Sequence, residues 1–168
     1  MAKQFDVVVI GGGLAGASCA LSIAKTNPSL AIAVVEANQV TGDYHPSFDD
    51  RSIALAQQSV EYLQQLNSFE PSAPYTAAIK KVSVSDRGHF GKAHISCDEF
   101  AKPSLGYVVE VNPFGRALYQ RLTQASIALY CPDSVSAIKQ SLNSNEVTLQ
   151  SGEQLNTKLP VSYTHLRA

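Results

Sequence analysis

Hydrophobic positions dominate the beginning of this chain. The stretch "VVVIGGGLAGASCALSIA" extends from Val7 to Ala24 without one charged residue. Three consecutive glycines interrupt it near its middle, and the six residues before it contain one Lys and one Asp. A membrane helix needs about 20 apolar residues in good helical order, and a signal peptide begins with net positive charge. We therefore interpret the stretch as two elements of a globular fold.

The two halves of the stretch predict a βαβ unit with the segment that follows. "FDVVVI" is a short β-branched run bounded by glycine, which is typical of a buried parallel strand. "LAGASCALSIAKT" is rich in Ala and Leu and ends at Asn27-Pro28, which predicts a helix. "LAIAVVEA" has the pattern of a second buried strand. A strand, a glycine turn, a helix and a strand form a right-handed crossover.

After Glu36 the hydrophobic pattern becomes shorter and more varied. "NQVTGDYHPSFDDR" predicts a loop, and "SIALAQQSVEYLQQL" predicts a helix with Ser52 as its N-cap. A hairpin in "IKKVSVSDRGHFGKAHIS", a strand in "GYVVEV", a helix from Asn112-Pro113 and a strand in "IALYC" follow. Short strands with polar turns complete the pattern. The expected fold class is α/β: a Rossmann-like domain with inserted strands and a small β-meander.

The glycine turn carries the candidate chemistry. Gly11 permits a tight turn, Gly13 has no Cβ and lets the backbone approach a pyrophosphate, and Gly16 lets the helix pack close to the strand. The free N–H groups and the dipole of a helix N-terminus favour an anion at this point. The candidate cofactor-binding residues of the turn are Gly11, Gly12, Gly13, Leu14, Ala15 and Gly16.

Glu36 completes the dinucleotide-binding pattern. It ends the second strand about twenty residues after the glycines, where a carboxylate accepts hydrogen bonds from the ribose hydroxyls of a dinucleotide. A carboxylate at this position disfavours a 2′-phosphate, so the pattern favours FAD or NAD over NADP. The alternative is a glycine turn in an ordinary α/β sheet, with Glu36 as a solvated strand end.

Composition and charge exclude several classes of function. Apolar residues make up 45% of the 168 residues and charged residues 16%, which is typical of a soluble globular protein. The net charge of −1 gives no basic footprint for nucleic acid. The three cysteines, Cys19, Cys97 and Cys131, have no metal-ligand spacing and suit a reducing compartment. We expect no metal site, no nucleic-acid partner and no transmembrane segment.

Four segments in order carry a resemblance to a known family: "DVVVIGGGLAGASCAL", "FDDRSIALA", "VSDRGHFG" and "GYVVE". Together they resemble the N-terminal part of the FAD-dependent aromatic hydroxylases of ubiquinone biosynthesis, the 2-polyprenyl-6-methoxyphenol hydroxylases in particular. The broader group is similar to the p-hydroxybenzoate hydroxylase-like flavin monooxygenases. The resemblance extends to about Leu159, and "FDDRSIALA" and "VSDRGHFG" are its more specific segments.

This resemblance implies a single-component monooxygenase with FAD as cofactor and NADPH as co-substrate. The substrates are then O₂ and a phenolic polyprenyl compound, and the place of action is the cytoplasm. The resemblance also allows a peripheral position at the inner face of the membrane, or a place in a complex of ubiquinone biosynthesis. The glycine turn and Glu36 alone leave two alternatives open: another FAD-dependent oxidoreductase, such as a dehydrogenase or oxidase, and a non-catalytic dinucleotide-binding module.

The resemblance also assigns a role to Arg51. In the family an Arg shortly after the second strand reaches the flavin nucleotide, and Arg51 matches it. The competing interpretation is an ion pair with Asp49 or Asp50. Two histidines receive no role: His89 in a turn is expected to be solvated, and His45 lies in a loop without an evident partner. Catalytic residues cannot be assigned from this sequence.

The end of the chain departs from the family pattern. After Leu159 the family continues into a buried strand and further FAD motifs, whereas this chain ends in "PVSYTHLRA". Residues 161–168 resemble the translation of a sequencing adaptor. We therefore expect residues 1–159 to be an incomplete FAD-binding domain, residues 160–168 to be a non-native tail, and the 168-residue chain to have no hydroxylase activity by itself. Residues 161–168 should make few native contacts; the alternative is that they extend as a strand into an empty neighbouring position of the sheet.

Overall fold

The structure, a computed structural model, describes residues 2–40, 45–86, 88, 90–142 and 144–163. The strands are β1 (Lys3–Ile10), β2 (Ile32–Val35), β3 (Ser52–Ala56), β4 (Thr76–Ile79), β5 (Lys81–Ser85), β6 (Lys92–Ser96), β7 (Gly106–Glu110), β8 (Ala128–Tyr130), β9 (Val135–Lys139), β10 (Asn145–Leu149) and β11 (Gln154–Ser162). The helices are α1 (Leu14–Thr26), α2 (Gln57–Gln65) and α3 (Val111–Gln124), and Cys97–Phe100 forms a 3₁₀ turn.

The chain divides into two compact units. The first consists of Met1–Asp49 and Gly115–Ala168, and the second of Asp50–Phe114. A six-stranded sheet in the order β8-β2-β1-β11-β10-β9 forms the centre of the first unit. The strands β8, β2, β1 and β11 are parallel, and β11, β10 and β9 form an antiparallel meander. The predicted βαβ unit and the predicted meander are both present.

The two faces of β1 are buried in different ways. Val8 and Ile10 belong to an apolar cluster with residues of β2, β10 and β11, among them Val147 and Leu155. Val9, on the opposite face, lies beneath the start of α1. Because both faces of the strand are covered, its last four residues form the continuous apolar run seen in the sequence. Full burial of one such side chain contributes about 1.5–3 kcal/mol to folding.

The second unit contains a three-stranded antiparallel sheet in the order β3-β7-β4 and a hairpin of β5 and β6. The predicted helix from Ser52 is wrong for its first five residues. Ser52–Ala56 is a strand that pairs with β7, and the helix begins only at Gln57. The side chains of β3 alternate between exposed and half-buried positions. A two-residue period with a pairing partner therefore prevails here over a helical spacing of apolar residues.

The last described strand is longer than the sequence predicts. Val161 pairs with Val9 and Ser162 with Ile10, so the first residues after Leu159 take the alternative of an extended strand beside β1. The free edge of β1 offers a row of backbone N–H and C=O groups, and any extended backbone can pair with them whatever its side chains. Residues 164–168 of the predicted tail, and His89, lie outside the described residues.

No helix in the described ranges is long and apolar enough to cross a bilayer. The same ranges contain no group of three His, Cys, Asp or Glu side chains that is arranged to bind a metal ion.

Candidate functional site

The glycine turn joins the carboxyl ends of the first two parallel strands. Gly11 has a φ of 97°, a conformation that favours glycine, and its N–H donates to the Val35 carbonyl at 2.8 Å. Gly13 is the N-cap of α1. The first turn of the helix has no acidic residue and no side-chain cap. A helix start of this kind presents backbone N–H groups and a positive dipole end to the space in front of it.

Three glycines of the turn differ in how closely other atoms approach them. A Cβ on Gly16 would lie 1.8 Å from the Gly11 carbonyl oxygen, so α1 can approach β1 only with glycine at this position. A Cβ on Gly12 would lie 3.1 Å from the Glu36 Cβ. A Cβ on Gly13 would meet only the Ser47 side chain, at 3.4 Å. The packing of the protein itself therefore does not demand glycine at position 13, and the missing side chain leaves room beside the backbone for a ligand.

Glu36 follows β2 and is almost completely buried, with 4% of its surface exposed. Its Oε2 accepts a hydrogen bond from the Gly12 N–H at 2.5 Å, and its Oε1 accepts one from the Asn38 N–H at 2.8 Å. Backbone donors to an ionised carboxylate form strong hydrogen bonds. They fix the orientation of the carboxylate against the glycine turn without any ligand. The alternative of a solvated strand end is therefore wrong for Glu36.

His45 is a member of the site that the sequence did not reveal. Its side chain is buried, with Nε2 lying 3.1 Å from the Asn38 carbonyl oxygen and 3.5 Å from Glu36 Oε1. Its Nδ1 accepts a hydrogen bond from the Ser47 N–H at 3.2 Å, and its ring stacks on Phe48. These partners assign the proton to Nε2, because Nδ1 acts as an acceptor.

A pocket of about 450 Å³ opens in front of this arrangement. It is lined by Ile10, Gly11, Gly13, Leu14, Ala15, Gly16, Val35, Glu36, Ala37, Asn38, Ser47, Asp133, Ser134, Val135 and Tyr163. The structure thus brings together all of the predicted motif residues: six line the pocket, and Gly12 binds the carboxylate beside it. Arg51 belongs to the second unit, where its carbonyl oxygen accepts from the Val111 N–H.

Asp133 adds a second carboxylate to the lining. Its Oδ2 accepts from the Ser151 hydroxyl at 2.5 Å, and its Oδ1 from the Ser134 N–H at 2.8 Å. The hydrogen bond from the Ser151 side chain, with smaller contributions from backbone N–H groups, lowers the pKa of Asp133 below its ordinary value. The pocket lining thus combines two kinds of groups. The glycine N–H groups and the helix start suit phosphates, and acceptors such as Glu36 suit hydroxyl groups, so the lining matches a ligand that has both.

Burial raises the pKa of a tyrosine, Tyr119, in the same unit. Desolvation, with a smaller contribution from its hydrogen bond to Cys131, raises the pKa of Tyr119 far above its ordinary value. Neither this tyrosine nor the Asp133 carboxylate was predicted from the sequence, because neither lies in a recognisable motif.

Comparison with known proteins agrees with this geometry. The FAD binding domain family matches residues 6–48. The chain is 28% identical over 167 residues to ubiquinone hydroxylase UbiM of Neisseria meningitidis serogroup C, covering 95% of this chain and 35% of that protein. It is 26% identical over 160 residues to ubiquinone hydroxylase UbiL of Rhodospirillum rubrum, covering 95% and 37%.

The fold is also found in solved structures. The crystal structure of p-nitrophenol 4-monooxygenase PnpA from Pseudomonas putida DLL-E4 superposes with a TM-score of 0.75 at 16% identity, covering 100% of this chain and 42% of that one. The chain therefore has a Rossmann-like FAD-binding fold, and the resemblance to ubiquinone hydroxylases is confirmed. It spans about a third of the length of the curated relatives that it matches.

Proposed function

We propose that this chain binds the ADP part of FAD, and that it does so as part of a FAD-dependent monooxygenase that hydroxylates an aromatic substrate in ubiquinone biosynthesis. The observation that carries the proposal is the Glu36 carboxylate, buried and fixed by the Gly12 N–H at the mouth of a glycine-lined pocket. The names of the relatives UbiM and UbiL support the reaction class and the pathway.

The residues of the pocket fit an adenine dinucleotide. We assign the ribose hydroxyls to Glu36, whose Oε2 keeps a free lone pair beside its bond from Gly12. We assign the diphosphate to the space beside Gly13 and the N-terminal N–H groups of Leu14, Ala15 and Gly16. A buried carboxylate at the ribose would repel a 2′-phosphate, which supports FAD over NADP as the resident nucleotide.

Bound FAD would supply the redox chemistry, and this chain would supply its anchorage. The glycine turn and Glu36 would fix the nucleotide end of the cofactor. We further propose NADPH as the electron donor and a phenolic polyprenyl compound as the substrate. The proposed location is the cytoplasm, with a peripheral association with the inner face of the membrane or with a complex of ubiquinone biosynthesis.

Nucleotide titration tests the first part of the proposal. We expect FAD and ADP to bind the purified chain, and FMN, which lacks the AMP part, not to bind. Isothermal titration calorimetry measures all three ligands, and absorbance after desalting reports FAD that is retained. Binding of FMN as tight as that of FAD, or no binding of either FAD or ADP, would contradict the assignment of the pocket.

Gly13→Val gives the sharpest variant for this titration. The new side chain points into the space assigned to the diphosphate, while its protein neighbour is only the Ser47 side chain. We expect FAD and ADP binding to be lost with little change in the free energy of unfolding. A Gly13→Val protein that retains its full flavin content would exclude the glycine turn as the diphosphate site.

Arg51→Ala tests the remaining assignment. We propose that Arg51 contacts the FAD, and we expect the substitution to weaken FAD binding about tenfold, the scale of one lost charge-assisted hydrogen bond. If FAD binds Arg51→Ala with unchanged affinity while the variant is less stable than the wild type, an ion pair with Asp49 or Asp50 explains this arginine better.

The reaction itself is tested in cells. The complete gene that contains this sequence is expressed in a bacterium from which its ubiquinone hydroxylase has been deleted, and quinone intermediates are measured by mass spectrometry. Restored ubiquinone, with one oxygen atom from ¹⁸O₂ in the product, supports the hydroxylase. FAD binding without restored hydroxylation would favour another FAD-dependent oxidoreductase or a non-catalytic nucleotide-binding module.

A further inference from the structure

The contacts of His45 connect two parts of the pocket. One ring nitrogen, Nε2, faces Glu36 Oε1 at 3.5 Å and the Asn38 carbonyl at 3.1 Å. The other, Nδ1, accepts the Ser47 N–H at 3.2 Å. The ring is fully enclosed and stacks on Phe48, with 4.3 Å between the ring centroids. A buried, immobilised imidazole with different partners on its two nitrogens orients both partners at once.

Ser47 stands beside the glycine turn. It lines the pocket, and its Oγ lies 3.6 Å from the point that a Cβ on Gly13 would occupy. Ser47 itself is exposed, so its hydroxyl is available to a ligand in the space that Gly13 leaves open. A hydroxyl donates readily to an anionic oxygen, and such charge-assisted hydrogen bonds are stronger than neutral ones.

We propose that Ser47 donates a hydrogen bond from its hydroxyl to the diphosphate of the nucleotide, and that His45 is the positioning residue that fixes Ser47 and Glu36 for their two parts of the ligand. This inference rests on the proposed function. The proposed diphosphate site then contains one loop side chain, that of Ser47, beside backbone N–H groups. Each ring nitrogen of the buried His45 has a separate role: Nδ1 positions Ser47, and Nε2 positions Glu36.

Isosteric replacements separate the two tasks of His45. An Asn side chain places its Oδ1 near the position of Nδ1, so His45→Asn retains an acceptor for the Ser47 N–H and loses the contact with Glu36. A Gln side chain places its Nε2 near the position of the imidazole Nε2, so His45→Gln retains the donor and loses the Ser47 contact. Both variants lose the stacking on Phe48, and each therefore serves as the matched control of the other.

The experiment measures the dissociation constants of ADP and adenosine for the purified chain, ADP by calorimetry and adenosine by displacement of ADP. The ratio of the two constants, adenosine over ADP, is the ADP preference. We expect Ser47→Ala to lower the ADP preference about tenfold and to leave adenosine binding unchanged. Ser47→Thr, which retains the hydroxyl, and Ser29→Ala, an exposed serine outside the pocket lining, are expected to retain the wild-type preference.

The two His45 variants should differ in their effect on the ADP preference. We expect His45→Gln to lower the ADP preference as Ser47→Ala does, and His45→Asn to weaken both ligands while the preference is retained. If both variants weaken the two ligands by the same factor, His45 has a merely structural role and the inference is wrong. If ADP binds the wild type and Ser47→Ala equally well, the diphosphate contact is wrong while the proposed function stands. If the wild type binds neither FAD nor ADP, the proposed function itself fails, and this inference fails with it.

Discussion

The two units of the chain use similar strand-forming residues in different ways. In the first unit the last four residues of β1 and all four residues of β2 are buried. In the second unit every residue of β5 is exposed, including Val82 and Val84. Continuous apolar runs belong to strands covered on both faces, and the alternating pattern of "KVSVS" belongs to a ribbon with its apolar side uncovered.

This difference indicates where the chain can tolerate change. The first unit positions its pocket by close backbone approaches that leave no room for extra atoms, above all at Gly16. The hairpin of β5 and β6 has few such constraints: a Cβ on Gly88 or Gly91 would meet no atom within 4 Å. The geometry of the turn therefore depends on close packing, and a substitution at Gly16 should cost far more stability than one in this hairpin.

The largest effect is expected from Gly16→Ala. The added methyl group would lie 1.8 Å from the Gly11 carbonyl oxygen, so α1 or the turn must move. We expect the free energy of unfolding, measured by urea titration with circular dichroism, to fall by about 3 kcal/mol, the upper end of the usual cost of overpacking.

Gly91→Ala is the matched control for this substitution. Its new methyl group meets nothing within 4 Å, and we expect a change within about 0.5 kcal/mol. Equal losses for the two variants would show that the close approach at Gly16 does not distinguish the glycine turn from the hairpin.

Ligand binding should stabilise the units unequally. ADP at about one hundred times its dissociation constant stabilises a folded binding site by about 2.7 kcal/mol. Hydrogen exchange measured by mass spectrometry should therefore slow in β1, α1 and β2, where the pocket lies. Exchange in the hairpin Lys81–Ser96 should be unchanged, and equal protection there would mean that nucleotide binding is not a property of the first unit alone.

The same Val→Ala substitution should have a different cost in the apolar cluster of the first unit and in the hairpin of the second. Val147 is fully buried in the apolar cluster, and Val84 is 55% exposed in the hairpin. We expect Val147→Ala to lower the free energy of unfolding by about 2 kcal/mol, from lost burial and a cavity, and Val84→Ala to change it by less than about 0.5 kcal/mol. Urea titration of both variants gives the comparison directly, and a loss at Val84 as large as that at Val147 would contradict it.

The smallest expected effect concerns an exposed ion pair between β1 and β11. Lys158 Nζ lies 2.8 Å from Asp6 Oδ1. This hydrogen bond, with that from the Ala31 N–H, lowers the pKa of Asp6 below its ordinary value of 3.8. A lowered pKa stabilises the folded state above the unfolded value, and this contribution disappears as the pH falls through the lower folded value.

We therefore expect a small difference in urea midpoint between the wild type and Lys158→Gln at pH 6 that decreases below about pH 4. The Ala31 contact is present in both proteins, so the difference reports the lysine alone. A difference that stays constant down to pH 3 would show that the lysine acts through packing and not through the charge of Asp6.

The sequence predicts the glycine turn and its acid well because both depend on local geometry. Gly11, Gly16 and Glu36 lie at fixed distances from a strong strand–helix–strand pattern, and the structure places them as that pattern requires. His45 and Ser47 could not be predicted in the same way. Their roles depend on how a loop returns to the turn, and no periodic pattern encodes that path.

The same limit applies elsewhere in the chain. The helical spacing of Ile53 and Ala56 is real, but β7 supplies a pairing partner that the local sequence does not reveal. The continuation of β11 through Ser162 likewise depends on the vacant edge of β1, which lies more than a hundred residues away along the chain. Both cases are pairings between distant segments. Such pairings form through backbone hydrogen bonds, and the periodicity of the side chains therefore does not reveal them.

The position of β11 has a consequence for biosynthesis. It lies between β1 and β10 in the sheet, and Lys3 of β1 pairs with Leu155 of β11. This edge of β1 can therefore pair with β11 only after Leu155 has been synthesised. Ribosomes add about 5–20 residues each second, so this edge of the first strand stays unpaired for roughly 8–30 seconds of translation. During that interval the nascent chain presents its most hydrophobic segment, Val7–Ile10, with one edge open to other strands. Early engagement of a chaperone with this N-terminal segment would protect it until the returning strand emerges.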